Sequence, residues 1–110
     1  MAAEAKIVVP DGAREVHRFL TGQLSHIEMV SEDVISTGDK YIAVLVYQHY
    51  FSRVGNQLAL VVIISGDSHR TTVKSISCGA ARGFLDIFDW GATDDFASEP
   101  ITYLQQKYRL

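Results

Sequence analysis

The sequence predicts an α+β fold: an antiparallel meander sheet of five to six strands with two helices packed on one face. Two nearly unbroken apolar runs, Ile42 to Tyr47 and Leu58 to Ile64, flank the polar link Ser52 to Asn56, which is the signature of a long hairpin. Apolar residues recur at spacings of three and four on either side of this region, as amphipathic helices require. Tight reversals at Gly38-Asp39 and Gly66-Asp67-Ser68 make consecutive strands antiparallel neighbours.

The elements follow in order. Lys6 to Val9 reads as a short first strand ended by Pro10, which has no N–H to give. Asp11 is the expected cap of a first helix, whose stripe is Val16, Phe19, Leu20, Leu24 and Ile27. Glu28 to Thr37 mixes Met29, Val30, Val34 and Ile35 with acids and serines, a half-exposed strand. The hairpin strands run from about Lys40 to Ser52 and from Gln57 to Ser65, and the β-branched segment His69 to Cys78 makes the next strand. Phe84 to Trp90 fits a helix by its apolar spacing and a strand by its length and aromatic content; the bounding glycines favour a sixth strand. Phe96, Ile101, Leu104 and Tyr108 face the sheet from a last helix. Pro100 belongs in a first turn, so the regular helix should begin near Glu99, after a turn at Asp94 to Ala97.

A chain of 110 residues reads as a single domain, 1–110, with a real core. Its 47% apolar and 21% charged composition is that of a globular protein. The net charge of −3 and the scattered lysines and arginines argue against a nucleic-acid partner, which would need a basic stripe. The start of the chain lacks the basic and apolar regions of a secretory signal, and neither apolar run approaches the ~20 residues of a membrane span, so no membrane role is expected. One cysteine, Cys78, allows no internal disulfide; a cytoplasmic location is the expectation.

The hairpin strands are apolar on both faces, whereas a half-wet strand alternates. Five strands at ~4.8 Å make a sheet roughly 24 Å wide, and two helices about 10 Å across cover one face of it. Pairing Phe51 with Gln57, the simplest register, puts Val44 and Val46 with Leu58, Leu60, Val62 and Ile64 under the helices. The other face then carries Tyr41, Leu45, Tyr47, His49, Phe51, Val61 and Ile63, which form the candidate interface. Large apolar side chains left in water forfeit ~1.5 to 3 kcal/mol each. A second copy of the chain, an apolar ligand, or curvature of the sheet onto itself could cover them; a twofold dimer is the reading adopted. A small-molecule pocket edged by His49, Tyr47 and Trp90 is the alternative.

Chemical signatures are weak. His26-Ile27-Glu28 has the H-x-E half of a zinc deaminase motif without the P-C-x-x-C half, and His17, His49 and His69 stand at no ligand-like spacing, so no metal and no cofactor are expected. Gly79, Arg82 and Gly83 after Cys78 could hold an anion, although cysteine phosphatases place five residues between cysteine and arginine where this chain has three. The simpler reading is a buried cysteine ending a strand. His49 with Cys78 is the pair best placed for nucleophilic chemistry, and no catalytic residue is assigned. The chain is read as a non-enzyme.

Gly55-Asn56-Gln57-Leu58-Ala59-Leu60, Gly66-Asp67, Ser75 to Ala81, and Phe84 to Phe96 with Trp90-Gly91 together resemble a family of small bacterial domains of unknown function and about this length. The resemblance runs through the whole chain and rests on apolar pattern and loop glycines; Pro100 departs from it. It implies a bacterial, cytoplasmic α+β domain and carries over no site residue. The function expected is an interaction or assembly module that forms a homodimer.

Overall fold

A computed structural model describes residues 2–52, 55–79 and 92–110. The order is β1 (Ala2–Val9), α1 (Ala13–Gln23), β2 (Glu28–Thr37), β3 (Lys40–Phe51), β4 (Asn56–Gly66), β5 (Thr71–Cys78) and α2 (Ala92–Tyr108). All five strands form one antiparallel sheet in the order β1-β5-β4-β3-β2. The meander β2 to β5 is extended by β1, which α1 separates from it in sequence and which pairs with β5 along its whole length, Ala2 opposite Cys78 and Val9 opposite Thr71. Phe84 to Trp90, the expected sixth strand, lies outside the described residues.

Both helices pack on the same face. Val16 and Leu20 of α1, Leu24 at its C-cap, and Phe96, Ile101 and Leu104 of α2 share one core with Leu45, Leu60, Val62, Ile64 and Val73 of the strands. Helix α1 lies over β3 and β4, and α2 over β1 and β5. Burial of each of these large side chains contributes on the order of 1.5–3 kcal/mol.

The register of the β3–β4 hairpin differs from the expected one. Phe51 pairs with Asn56 rather than Gln57. Gly55 closes the turn with φ 63°, a left-handed conformation that glycine adopts without strain, and its N–H donates to the carbonyls of Phe51 and Ser52. The loop is therefore four residues rather than five. Because side chains alternate with period two, this one-residue change turns β3 over relative to β4. Leu58, Leu60, Val62 and Ile64 face the helices as expected, but their partners there are His49, Tyr47, Leu45 and Ala43.

Three local expectations are also corrected. Asp11 is not the cap of α1: the N-cap is Gly12, and the Ala13 N–H donates to the Asp67 carbonyl at 2.9 Å, so the β4–β5 turn satisfies the helix start. The Asp11 carboxylate instead accepts from the Gly12 N–H at 2.8 Å and from the Tyr108 hydroxyl at 2.6 Å, which fastens the end of α2 to the start of α1. Helix α2 begins at Ala92 and runs through Pro100. Its buried positions 92, 93, 96, 97, 100, 101 and 104 form one unbroken stripe on both sides of the proline, and that packing outweighs the missing N–H. Strand β2 is exposed along both faces rather than half-exposed.

Candidate functional site

The sheet leaves one face without a helix. Directly paired residues share a face, so the observed register defines rows of side chains that cross all five strands. One row is Lys6, Lys74, Ile63, Val44 and Asp33; the next is Glu4, Ile76, Val61, Val46 and Ser31; on the other side lies Val8, Thr72, Ser65, Ile42 and Ile35. The centre of this face is apolar. Val44, Val46, Val61, Ile63 and Ile76 are half-buried by one another, while Val8, Ile35 and Ile42 are 40%, 67% and 38% exposed. No described helix packs over it. Lys6, Lys74 and Glu4 stand on the β1–β5 side and Asp33 on the β2 side: Lys74 pairs with Glu4 at 3.2 Å, whereas Lys6 and Asp33 have no ion pair within the described residues.

The helix-covered face holds a polar cluster at its β2 end. His17 projects from α1 between Glu32 of β2 and Tyr41 of β3, with Nε2 2.7 Å from the Glu32 carboxylate and Nδ1 2.6 Å from the Tyr41 hydroxyl. A carboxylate can only accept, so Nε2 carries a proton; in the neutral ring Nδ1 then accepts from Tyr41. Arg14 donates to the Ser36 hydroxyl at 2.9 Å and lies 4.7 Å over the Tyr41 ring. These ties hold α1 against the projecting β2–β3 hairpin. An open groove of about 290 Å³ runs beside them, lined by Arg14, His17, Arg18, Thr21, Glu32 and Tyr41. No signal in the sequence points to this cluster, since its members come from three elements and share no spacing.

Deeper on the same face, among the described residues, three hydroxyls are buried without a hydrogen-bond partner: those of Tyr47, Ser75 and Ser77. Ser77 and Tyr47 flank Leu60 on one row, and Ser75 lies two residues along β5. Burial pushes the Tyr47 phenol up to about 12, and the negative charge of Glu32 adds to the shift.

The residues selected from the sequence are therefore divided between two faces. Tyr41, Leu45 and Tyr47, expected at an interface, are buried under the helices at 8%, 0% and 1% exposure. His49 is exposed, and Phe51 is half-buried with its ring 5.1 Å from that of Phe96. Val61 and Ile63 alone of that set lie on the helix-free face, because only β4 kept its expected orientation. His49 and Cys78 point to opposite faces, so they form no pair, and Cys78 is exposed rather than buried. Of the proposed anion loop, Gly79 adjoins the Leu58 side chain, and Arg82 and Gly83 lie outside the described residues, as does Trp90. His26 pairs with Glu99 at 2.8 Å, while Glu28 accepts from Gln48, so the two ends of the H-x-E motif have separate partners. Among the described residues no cluster of three or more ligating side chains could hold a metal.

A family model described as a family of unknown function, DUF6054, matches residues 3–107. The chain belongs to this family. The match covers both helices and all five strands almost entirely, so the DUF6054 unit and the fold described above are one object. Solved structures of low identity are similar over their whole lengths. An uncharacterised protein from Bacillus thuringiensis is 10% identical, with a TM-score of 0.50 over 100% of both chains. XoxI from Bacillus cereus is 11% identical, with a TM-score of 0.50 over 98% of this chain and 95% of that one. A Thermus thermophilus protein is 11% identical at a TM-score of 0.41, covering 99% and 97%. Comparison with curated proteins finds no significant match. Among the described residues of this DUF6054 chain no helix is long and apolar enough to cross a membrane.

Proposed function

We propose that this DUF6054 protein is a non-enzymatic assembly module that homodimerises through the helix-free face of its sheet. One observation carries the reading: Ile42, Val44, Val46, Val61, Ile63 and Ile76 form a continuous apolar surface over the central strands, on the side opposite both helices. An exposed apolar patch of this kind, rimmed by charges, is the usual mark of a contact surface. The expected interface residues are replaced by the set that the true register brings to the surface. A bacterial, cytoplasmic setting belongs to the same reading; the bacterial origin of the similar structures and an exposed, unpaired cysteine support it. Sedimentation velocity of the full chain tests the proposal. The wild type is expected to sediment as a dimer at micromolar concentration, and Val61→Glu as a monomer with an unchanged far-UV spectrum. A wild-type protein that stays monomeric at high micromolar concentration would exclude it.

The unpartnered hydroxyls of Tyr47, Ser75 and Ser77 favour a second reading, in which a small, mainly apolar ligand with a polar group lies between sheet and helices. Native mass spectrometry of freshly purified protein would show a retained compound of defined mass. Its absence, with only water found beside the three hydroxyls at high resolution, would remove this reading.

A further inference from the structure

Resting on the homodimer reading, we infer that the dimer has one defined arrangement: its twofold axis lies in the interface, nearly parallel to β4, and Lys6 of each protomer pairs with the partner's Asp33. Two observations lead there. Lys6 and Asp33 sit on the same row of the helix-free face, at its two outermost strands, and neither has an ion pair within the described residues. Four strand spacings of ~4.8 Å separate them, roughly 19 Å, so they cannot meet within one chain.

Two sheets stacked face to face by a twofold can have the axis along the strands or across them. An axis along β4 reverses the strand order and keeps each row level, so β1 of one copy lies over β2 of the other. Lys6 then faces the partner's Asp33, twice by symmetry. On the neighbouring rows Val8 meets the partner's Ile35, Ile76 meets the partner's Val46, and Val61 and Ile63 meet their own copies on the axis. Lys74, already paired with Glu4 in its own chain, lies over the partner's Val44, Glu4 over the partner's Ser31 and Thr72 over the partner's Ile42, so Lys6 with the partner's Asp33 is the charge pair that this arrangement makes between protomers. Twist tilts stacked sheets by about 30°, and the long lysine stem accommodates the resulting offset. An axis across the strands would instead lay β2 on the partner's β2. That strand carries Glu28, Glu32 and Asp33 without a single basic residue, so Asp33 would face only acids and neutral groups. The same composition, and the bulge between Met29 and Ser31, oppose edge-to-edge pairing of two β2 strands.

The area is adequate. A patch five strands wide and about seven residues long measures roughly 24 by 24 Å, so two copies bury on the order of 1,200 Å², the lower bound of stable interfaces. The charges then select the arrangement while the apolar rows supply the attraction.

Charge exchange within one chain tests this. Lys6→Asp is expected to raise the dimer dissociation constant about tenfold by sedimentation or dilution calorimetry, as is Asp33→Lys, because each puts two like-charge pairs in contact. The double variant K6D/D33K restores both pairs with reversed sign and should return to within about threefold of wild type. A dimer that K6D and D33K leave unchanged, or that K6D weakens without rescue by D33K, overturns the arrangement while leaving the homodimer in place. The second outcome would move Lys6 to another contact, such as the free β1 edge, where a twofold at Ala5 sets Glu4 against the partner's Lys6. A wild type with no dimer at all removes the underlying reading instead.

Discussion

Replacing Tyr47 by Phe isolates one atom whose energetic role the fold makes specific. The side chain is 1% exposed and its hydroxyl has no partner among the described residues, so folding strips the group of water without compensation from them. Such a group costs about 1–3 kcal/mol, whereas the ring, which Phe retains, supplies the burial. Tyr47→Phe should therefore stabilise the protein by about 1 kcal/mol at pH 7, or raise its melting temperature by roughly 4 °C. The alkaline limb adds an independent sign. Burial first, and then the Glu32 charge, push the Tyr47 phenol from 10.0 to about 12 in the folded protein. Between those values the unfolded chain releases a proton that the folded chain keeps, so wild-type stability is intact below pH 10 and falls as pH rises toward 12. The total loss is on the order of 2–3 kcal/mol. Tyr47→Phe lacks this component. Tyr108 is also raised, by burial and by its bond to Asp11, but it contributes equally to both proteins, and the difference between them reports Tyr47. Urea denaturation at pH 7, 10 and 11, at one fixed protein concentration, measures both effects. A Phe variant less stable at pH 7 would refute the reasoning by showing that the hydroxyl has a water or ligand partner. Parallel alkaline declines would show that Tyr47 does not titrate in the way its surroundings require.

Substitutions at two further positions probe the hairpin that orients the sheet. Leu60→Ala empties a fully buried position at the centre of the core and should cost about 2–5 kcal/mol in urea denaturation. Gly55→Ala forces a side chain into φ 63° with nothing among the described residues to collide with, so its loss of about 1 kcal/mol should be conformational, and Gly55→Asn should cost less.

What could be read from the chain were the quantities that local chemistry fixes. Period-3.6 patterns located the helix stripes from Val16 and from Phe96, although α1 ends at Gln23, so that Leu24 and Ile27 of the expected stripe are buried at and beyond its C-cap, and the apolar runs located β3 and β4. Arithmetic on widths indicated one helix-free face. Which residues occupy that face was not readable, because period two makes orientation hinge on a single residue of loop length. Gly55 decided it by closing the turn one position earlier than the simplest count. The start of α2 was misplaced for a related reason: Pro100 is a local signal against a helix, and only the stripe from Ala92 to Leu104, seen against the sheet, shows why packing prevails.

Local order along the chain was enough to say which of the described segments are strands, which are helices, and that the hairpin strands are apolar on both sides, since these follow from interactions between residues near one another. The assembled fold was needed to put β1 beside β5, to bring His17 to Glu32 and Tyr41, and to set Lys6 and Asp33 on one row at opposite borders of the open face. Each of these depends on pairings between distant segments, where every central strand must fit two neighbours at once and no local pattern records the outcome.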